Sequence, residues 1–241
     1  MPGRLSALLL LFFFPAASFA DVPRVAIIID DLGYHLGNGK RAISLPGPVA
    51  MSVLPSAPRA RALAQHAHAS GKEVLLHLPL QAYNDDARAE PAEIVLDMSR
   101  ARVGDTFARA LDAVPHAVGI NSHRGSLVTR HPGHMAWLMQ EIAAREKLFF
   151  IDSFTTHQSV ALQIAEENGV DASKRDIFLD PDKDPATVAR EFERLKEIAR
   201  KRGYAIGIGH PYPATLELLE RELPRLAEEG FELVRVGELV K

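Results

Sequence analysis

Apolar residues along the chain fall into short β-branched runs separated by longer stretches of helical period, and the changeovers carry Pro, Gly or Asp. The runs predict strands near Arg24 to Asp30, Pro48 to Leu54, Glu73 to Leu78, Ala117 to Asn121, Leu148 to Asp152, Asp176 to Leu179, Tyr204 to Gly209 and Phe231 to Val236. Between them the period predicts helices, clearest over Arg59 to Ala69, Ala101 to Ala113, Met135 to Glu146, Ala186 to Lys201 and Ala214 to Glu229. Strands alternating with helices imply parallel strands and helical crossovers, an α/β fold. Eight such strands close into a barrel or lie open as a doubly wound sheet. No glycine-rich phosphate loop follows the first strand, which favours a single-domain (β/α) barrel, distorted, with parallel strands inside and helices outside. The segment from Gln81 to Met98, rich in Asp, Glu, Ala and Pro, is the longest without a period and is expected to cover the barrel mouth.

The N-terminus breaks this pattern. Arg4 precedes an unbroken apolar run from Ala7 to Phe14, followed by small residues ending in Ser18-Phe19-Ala20. Eight apolar residues fall far short of the roughly 20 needed to span a hydrocarbon core, whereas the small-residue ending suits cleavage. Residues 1–20 are therefore expected to be a cleaved signal peptide, and residues 21–241 the domain. The expected location is periplasmic or secreted, with membrane contact only through the export signal.

Composition narrows the partners. Loss of Arg4 with the leader takes the formal net charge from −3 to −4, so no basic field suits a nucleic acid. There is no cysteine, which removes thiolates from the candidate ligands and nucleophiles and leaves stability to the core.

Titratable and polar residues gather where the predicted strands end: Asp30-Asp31, His77, Asn121 to Ser126, Asp152-Ser153, Asp180 and His210. Sites in such folds form at the carboxyl ends of the strands. Two adjacent carboxylates after an apolar run repel unless a cation or a shared proton holds them, and a metal explains the pair best. The alternative is a cap on the following helix. His77 lies in an apolar strand, where a core role competes with ligation. His123 stands in a polar cluster, and His210 follows Gly209, which permits close approach of a ligand. His66 and His68 fit a helix surface, His116 a turn, His131 and His134 a helix start, and His35 and His157 the rim.

Ile27-Ile28-Ile29-Asp30-Asp31-Leu32-Gly33, Leu76-His77-Leu78-Pro79, Gly119 to Ser126, Phe150-Ile151-Asp152-Ser153 and Ile208-Gly209-His210-Pro211 resemble, in order, the motifs of the divergent polysaccharide deacetylase family. The resemblance implies a distorted β/α barrel similar to that of carbohydrate esterases that remove N-acetyl groups from amino sugars. It makes Asp30 the general base, Asp31 and His77 metal ligands and His210 the general acid. Those enzymes carry a second histidine four residues beyond the first, where this chain has Gln81. His123 is the substitute ligand, with Asp152 as a further candidate, and Arg124 or backbone N–H groups would stabilise the oxyanion. Asn121, Ser126, Asp152 and Ser153 are the candidate substrate contacts. The implied cofactor is a divalent metal, Zn2+ first, and the implied partner an N-acetylated glycan. The expected function is an exported metal-dependent deacetylase. The alternative, motivated by Gln81, is an inactive carbohydrate-binding or envelope-assembly protein on the same scaffold.

Overall fold

The computed structural model describes residues 22–83, 90–145 and 147–241. The expected signal peptide lies outside the described residues, as does the middle of the predicted mouth loop. No helix among the described residues is long and apolar enough to cross a membrane.

The strands are β1 (Arg24–Leu32), β2 (Ala50–Val53), β3 (Val74–Leu80), β4 (Ala117–Arg124), β5 (Phe149–Asp152), β6 (Ala172–Lys174), β7 (Ile177–Phe178), β8 (Tyr204–Gly209) and β9 (Glu232–Leu233). All their pairings are parallel, in the order β6-β5-β4-β3-β2-β1-β8-β7. Parallel neighbours need a crossover of about a dozen residues or more. Only two residues, Arg175 and Asp176, separate β6 from β7, so these are successive halves of one extended stave. Its first half pairs with β5 and its second half with β8. That split ladder brings the two edges of the sheet together as a distorted (β/α) barrel.

Alternation along β1 sorts the core into two layers. Val25, Ile27 and Ile29 pack outward with Leu63 of α2 (Ala60–Ala69), Phe107 of α3 (Arg100–Ala113) and Leu195 of α6 (Pro185–Arg202). Ala26 and Ile28 face the interior with Leu75, Ile151, Ile206 and Ile208. The same interior cluster contains Val234, Val236 and Leu239, so the C-terminal segment plugs the barrel floor. β9 pairs with Arg24 and Val25 at the start of β1. It is thus part of that plug rather than the eighth stave that its apolar run predicted.

Three further elements differ from expectation for local reasons. α1 (Leu36–Ile43) contains Gly37 and Gly39, poor helix formers. Gly39 leaves room for a neighbour: a Cβ would stand 2.6 Å from Leu63 Cδ1 of the adjacent helix, so Leu63 would have to shift. α5 (Ala161–Glu167) is too short to show a period. α7 (Pro213–Glu222) ends seven residues before the predicted Glu229, where Pro224 breaks the α ladder and the chain tightens into a 3-10 turn. The remaining helix, α4, spans Pro132–Ala143.

Leu239 is almost fully buried in the interior cluster, whereas Leu36 is 42 % exposed. Leu239→Ala is expected to lower the unfolding free energy by about 2–5 kcal/mol. Leu36→Ala is expected to change it by about 0.5 kcal/mol or less. Urea denaturation of the two variants checks whether the C-terminal plug is part of the cooperative core.

Candidate active site

Adjacent strand residues point to opposite faces, so Asp30 and Asp31 cannot both face the barrel mouth from a regular strand. β1 avoids this by an irregularity. Its register against β2 slips between Ile29 and Leu32, and Asp31 takes a left-handed φ of 58°. Aspartate tolerates that conformation better than most residues, at a cost on the order of 1 kcal/mol. Arg124 and Phe154, at the ends of β4 and β5, also have positive φ, so three strand ends around the mouth are turned in this way.

The kink brings Asp31 Oδ1 within 3.2 Å of His77 Nε2 and 3.3 Å of His123 Nδ1. The two imidazole nitrogens are 3.0 Å apart. These three atoms form a compact triangle that can hold a metal ion. A tetrahedral Zn2+ with bonds of about 2.0–2.1 Å requires ligand atoms about 3.3–3.4 Å apart, close to the edges observed. Asp31 Oδ1 is moreover buried without a hydrogen-bond partner, a costly state that a cation relieves. The residues fit a divalent ion with a fourth position open.

The surrounding hydrogen bonds set the imidazoles for that role. Asn121 is fully buried, and its Nδ2 donates to Asp30 Oδ1 at 2.8 Å and to Ser153 Oγ at 3.3 Å. Its Oδ1 can then only accept, from Ser52 Oγ and from His77 Nδ1 at 2.7 Å. His77 consequently carries a proton on Nδ1, and its Nε2 lone pair faces the triangle in the neutral form. Glu90 Oε1 lies 3.3 Å from His123 Nε2 and orients the second ring in the same sense.

Charges in this space are strongly coupled. Burial alone would raise the Asp31 carboxyl, but His123 and His77 outweigh it and hold the group well below the usual carboxylate range. Burial alone would lower His77, yet Asp30 and Asp31 push it up to about 9 in the absence of a cation. The folded-state value therefore lies above the ordinary 6.5. The stability gained from charged His77 is complete below pH 6.5 and is lost as pH rises through about 9.

On the opposite side stands His210, with Nε2 3.6 Å from Asp31 Oδ2. Asp180 fixes it: Oδ1 lies 2.9 Å from His210 Nδ1, and Oδ2 accepts from the His210 backbone N–H at 2.7 Å and from Thr215 Oγ1 at 2.6 Å. Phe178 and Tyr212 flank the ring, each with its centroid 5.4 Å away. Burial opposes the imidazolium, but Asp180 and then Asp30 raise its pKa above 6.5. A cavity of about 220 Å3 joins Asp30, His77, His123, Arg124, Ser153 and His210.

Other predicted site residues lie elsewhere. Asn121 is sealed in the floor and orients its neighbours rather than meeting a ligand. Asp152 is buried with its oxygens taken by Phe154 N and Ser159 Oγ, which stabilise the loop after β5 and leave no ligand atom for a metal. Ser126 accepts from the Tyr83 backbone N–H and does not line the cavity. Gln81 accepts from Leu96 N with its side chain and bonds Ile94 O with its backbone N–H, so it ties down the mouth segment. The position where a histidine was expected is thus structural, and His123 contributes its nitrogen from the neighbouring strand. Reasoning from sequence missed the partners Ser52, Glu90 and Arg175. Asp180 was visible at a strand end, but its pairing with His210 depends on which strands are neighbours.

The model of the divergent polysaccharide deacetylase family matches residues 27–240. An uncharacterized protein of Haemophilus influenzae is 40% identical over 222 residues, covering 92% of this chain and 78% of its own length. A crystal structure of an uncharacterized protein from Agrobacterium tumefaciens C58 has a TM-score of 0.86 at 25% identity, covering 92% of this chain and 91% of that one. The catalytic domain of a peptidoglycan N-acetylglucosamine deacetylase from Eubacterium rectale shares the fold with a TM-score of 0.52 at 13% identity, covering 92% and 94%.

Calorimetric titration with Zn2+ is expected to give one ion per chain, lost in Asp31→Ala and in His123→Ala. Asn121→Leu, which leaves His77 Nδ1 without its acceptor, should weaken binding by roughly 10–100-fold. Because His77 must lose a proton to bind, titrations near pH 7.5 in buffers of different ionisation enthalpy should report proton release that disappears above about pH 9.

Proposed function

The chain belongs to the divergent polysaccharide deacetylase family, and from that premise we propose that it is an exported, zinc-dependent hydrolase that deacetylates N-acetylated amino sugars of a cell-wall or other polysaccharide. The observation that carries this reading is the Asp31, His77 and His123 triangle beside an acid and a base that are each held by a buried partner. The solved neighbour that acts on peptidoglycan N-acetylglucosamine supports the substrate class through its fold alone. The apolar leader from Ala7 to Phe14 supports export, to the periplasm or beyond.

Asp31, His77 and His123 would hold the ion. When bound, it supplies Lewis acidity toward an acyl carbonyl and toward water. Asp30 has Oδ1 occupied by Asn121 and Oδ2 3.5 Å from His77 Nε2, facing the cavity. Asp30 Oδ2 takes a proton from the attacking water, whose oxygen joins the acyl carbon. Arg124, on the cavity wall, faces the developing oxyanion. The C–N bond then breaks, and His210 Nε2 delivers its proton to the departing amine. Asp180 and Asp30 raise the His210 pKa above 6.5 against burial, which favours the protonated ring that this step needs. At about 220 Å3 the cavity is smaller than the roughly 300–1,000 Å3 of sites that enclose a whole ligand, so it admits the acylated amine while the rest of the glycan stays outside.

Acetate release from N-acetylglucosamine oligomers by the zinc-loaded protein tests the reading. Asp30→Asn and His210→Ala should each lower kcat by roughly 10²–10⁴-fold, with zinc still bound in the second. The alkaline limb of the rate profile should fall above pH 6.5, where His210 loses its proton. Glycan binding with no acyl release by the zinc-loaded wild type would return the chain to the inactive binding role.

A further inference from the structure

Arg175 takes no part in that chemistry, yet it lines the same cavity. It sits at the break between β6 and β7, where the stave changes partner from β5 to β8. Its Nε donates to Ser153 O at 2.7 Å and its Nη2 to Phe154 O at 3.1 Å. Its guanidinium carbon stands 5.3 Å from the Phe178 ring centroid. Those contacts orient the group without neutralising it. Among the described residues, Nη1 has no hydrogen-bond partner and no carboxylate lies within 4.0 Å of the group.

Buried or half-buried charges are ordinarily paired. Burial lowers the pKa of Arg175 while Asp152 and Asp30 oppose the shift from a distance, and a guanidinium remains charged throughout. Asp176 opposes the shift as well, but all three carboxylates act through space, and none among the described residues is in contact with the guanidinium. A divalent ion in the triangle would balance Asp30 and Asp31, and Arg124 is ion-paired with Glu90 at 3.4 Å. Arg175 is thus a cation fixed by two backbone carbonyls and, among the described residues, without a contacting carboxylate, with one nitrogen open beside the reacting centre. Such a planar fork suits a carboxylate better than a neutral hydroxyl.

We infer that Arg175 binds a carboxylate of the substrate, so that the preferred glycan is acidic, with the carboxylate a few bonds from the acylated amine. The inference rests on the deacetylase reading and names its substrate more closely. Two sources share this chemistry: a carboxylate on the sugar, as in a lactyl ether or a uronate, and a carboxylate ending the acyl chain.

The test uses the zinc-loaded full-length protein and compares N-acetylmuramic acid glycans with their methyl esters, and N-succinylglucosamine with its methyl ester. Wild type should favour one acid over its ester by roughly 10–100-fold in kcat/KM, and the pair that shows the preference identifies the source. Arg175→Met should abolish the preference while leaving zinc stoichiometry and the rate on esters within about threefold. Arg175→Lys should restore part of it. Equal wild-type rates on acids and esters, or an Arg175→Met loss that is the same for both, would overturn the inference. If no substrate is turned over, the deacetylase reading fails first, and calorimetric binding of the same four ligands decides the role of Arg175. Tighter binding of an acid in wild type but not in Arg175→Met supports the role, and no difference overturns it.

Discussion

The side-chain amide of Asn121 makes every hydrogen bond open to it, two as donor and two as acceptor. Its partners are Asp30 on β1, Ser52 on β2, His77 on β3 and Ser153 after β5, while Asn121 itself is on β4. One buried group thus ties together five consecutive strand ends. It determines which Asp30 oxygen faces the cavity and which His77 nitrogen carries a proton. In a low-dielectric floor each of these bonds is costly to leave unmade, so the network rigidifies the site before any ligand arrives.

The strain at the mouth arises beside this network, from the adjacency of the two carboxylates on one strand. Asp30 falls on the interior face in step with Ala26 and Ile28, and Asp31 reaches that side only through its left-handed backbone and the slipped register against β2. A cation bound at the Asp31 oxygen would offset the local cost of the turn. His210 is held in a parallel fashion on the far wall, where Asp180 accepts three hydrogen bonds that fix both the ring and its backbone. The two walls come from opposite halves of the chain, and β1 paired with β8 brings them within reach.

Closure of the barrel also shapes the chemistry. A single stave serves β5 with its first half and β8 with its second, so the sheet has a break at Arg175. The carbonyls of Ser153 and Phe154 lie beyond the β5 ladder, and the Arg175 guanidinium satisfies both. A feature that begins as a topological compromise ends as a charged wall of the cavity.

Apolar periodicity along the chain determined the α/β class, seven of the staves or their halves, and the placement of Asp30, Asp31, His77, His123 and His210 at strand ends. Periodicity carries that information because a strand's burial depends on its own residues. It failed at β9, where an apolar run plugs the floor instead of joining the wall, and it said nothing of Asn121 and Asp152, which stand at strand ends but are sealed. Tertiary structure alone decided between His123 and Asp152 as the third member of the triangle, that Asp180 serves His210, and that Arg175 faces the cavity. Each of these depends on contacts between strands distant in sequence, and no local pattern encodes which strand ends will meet.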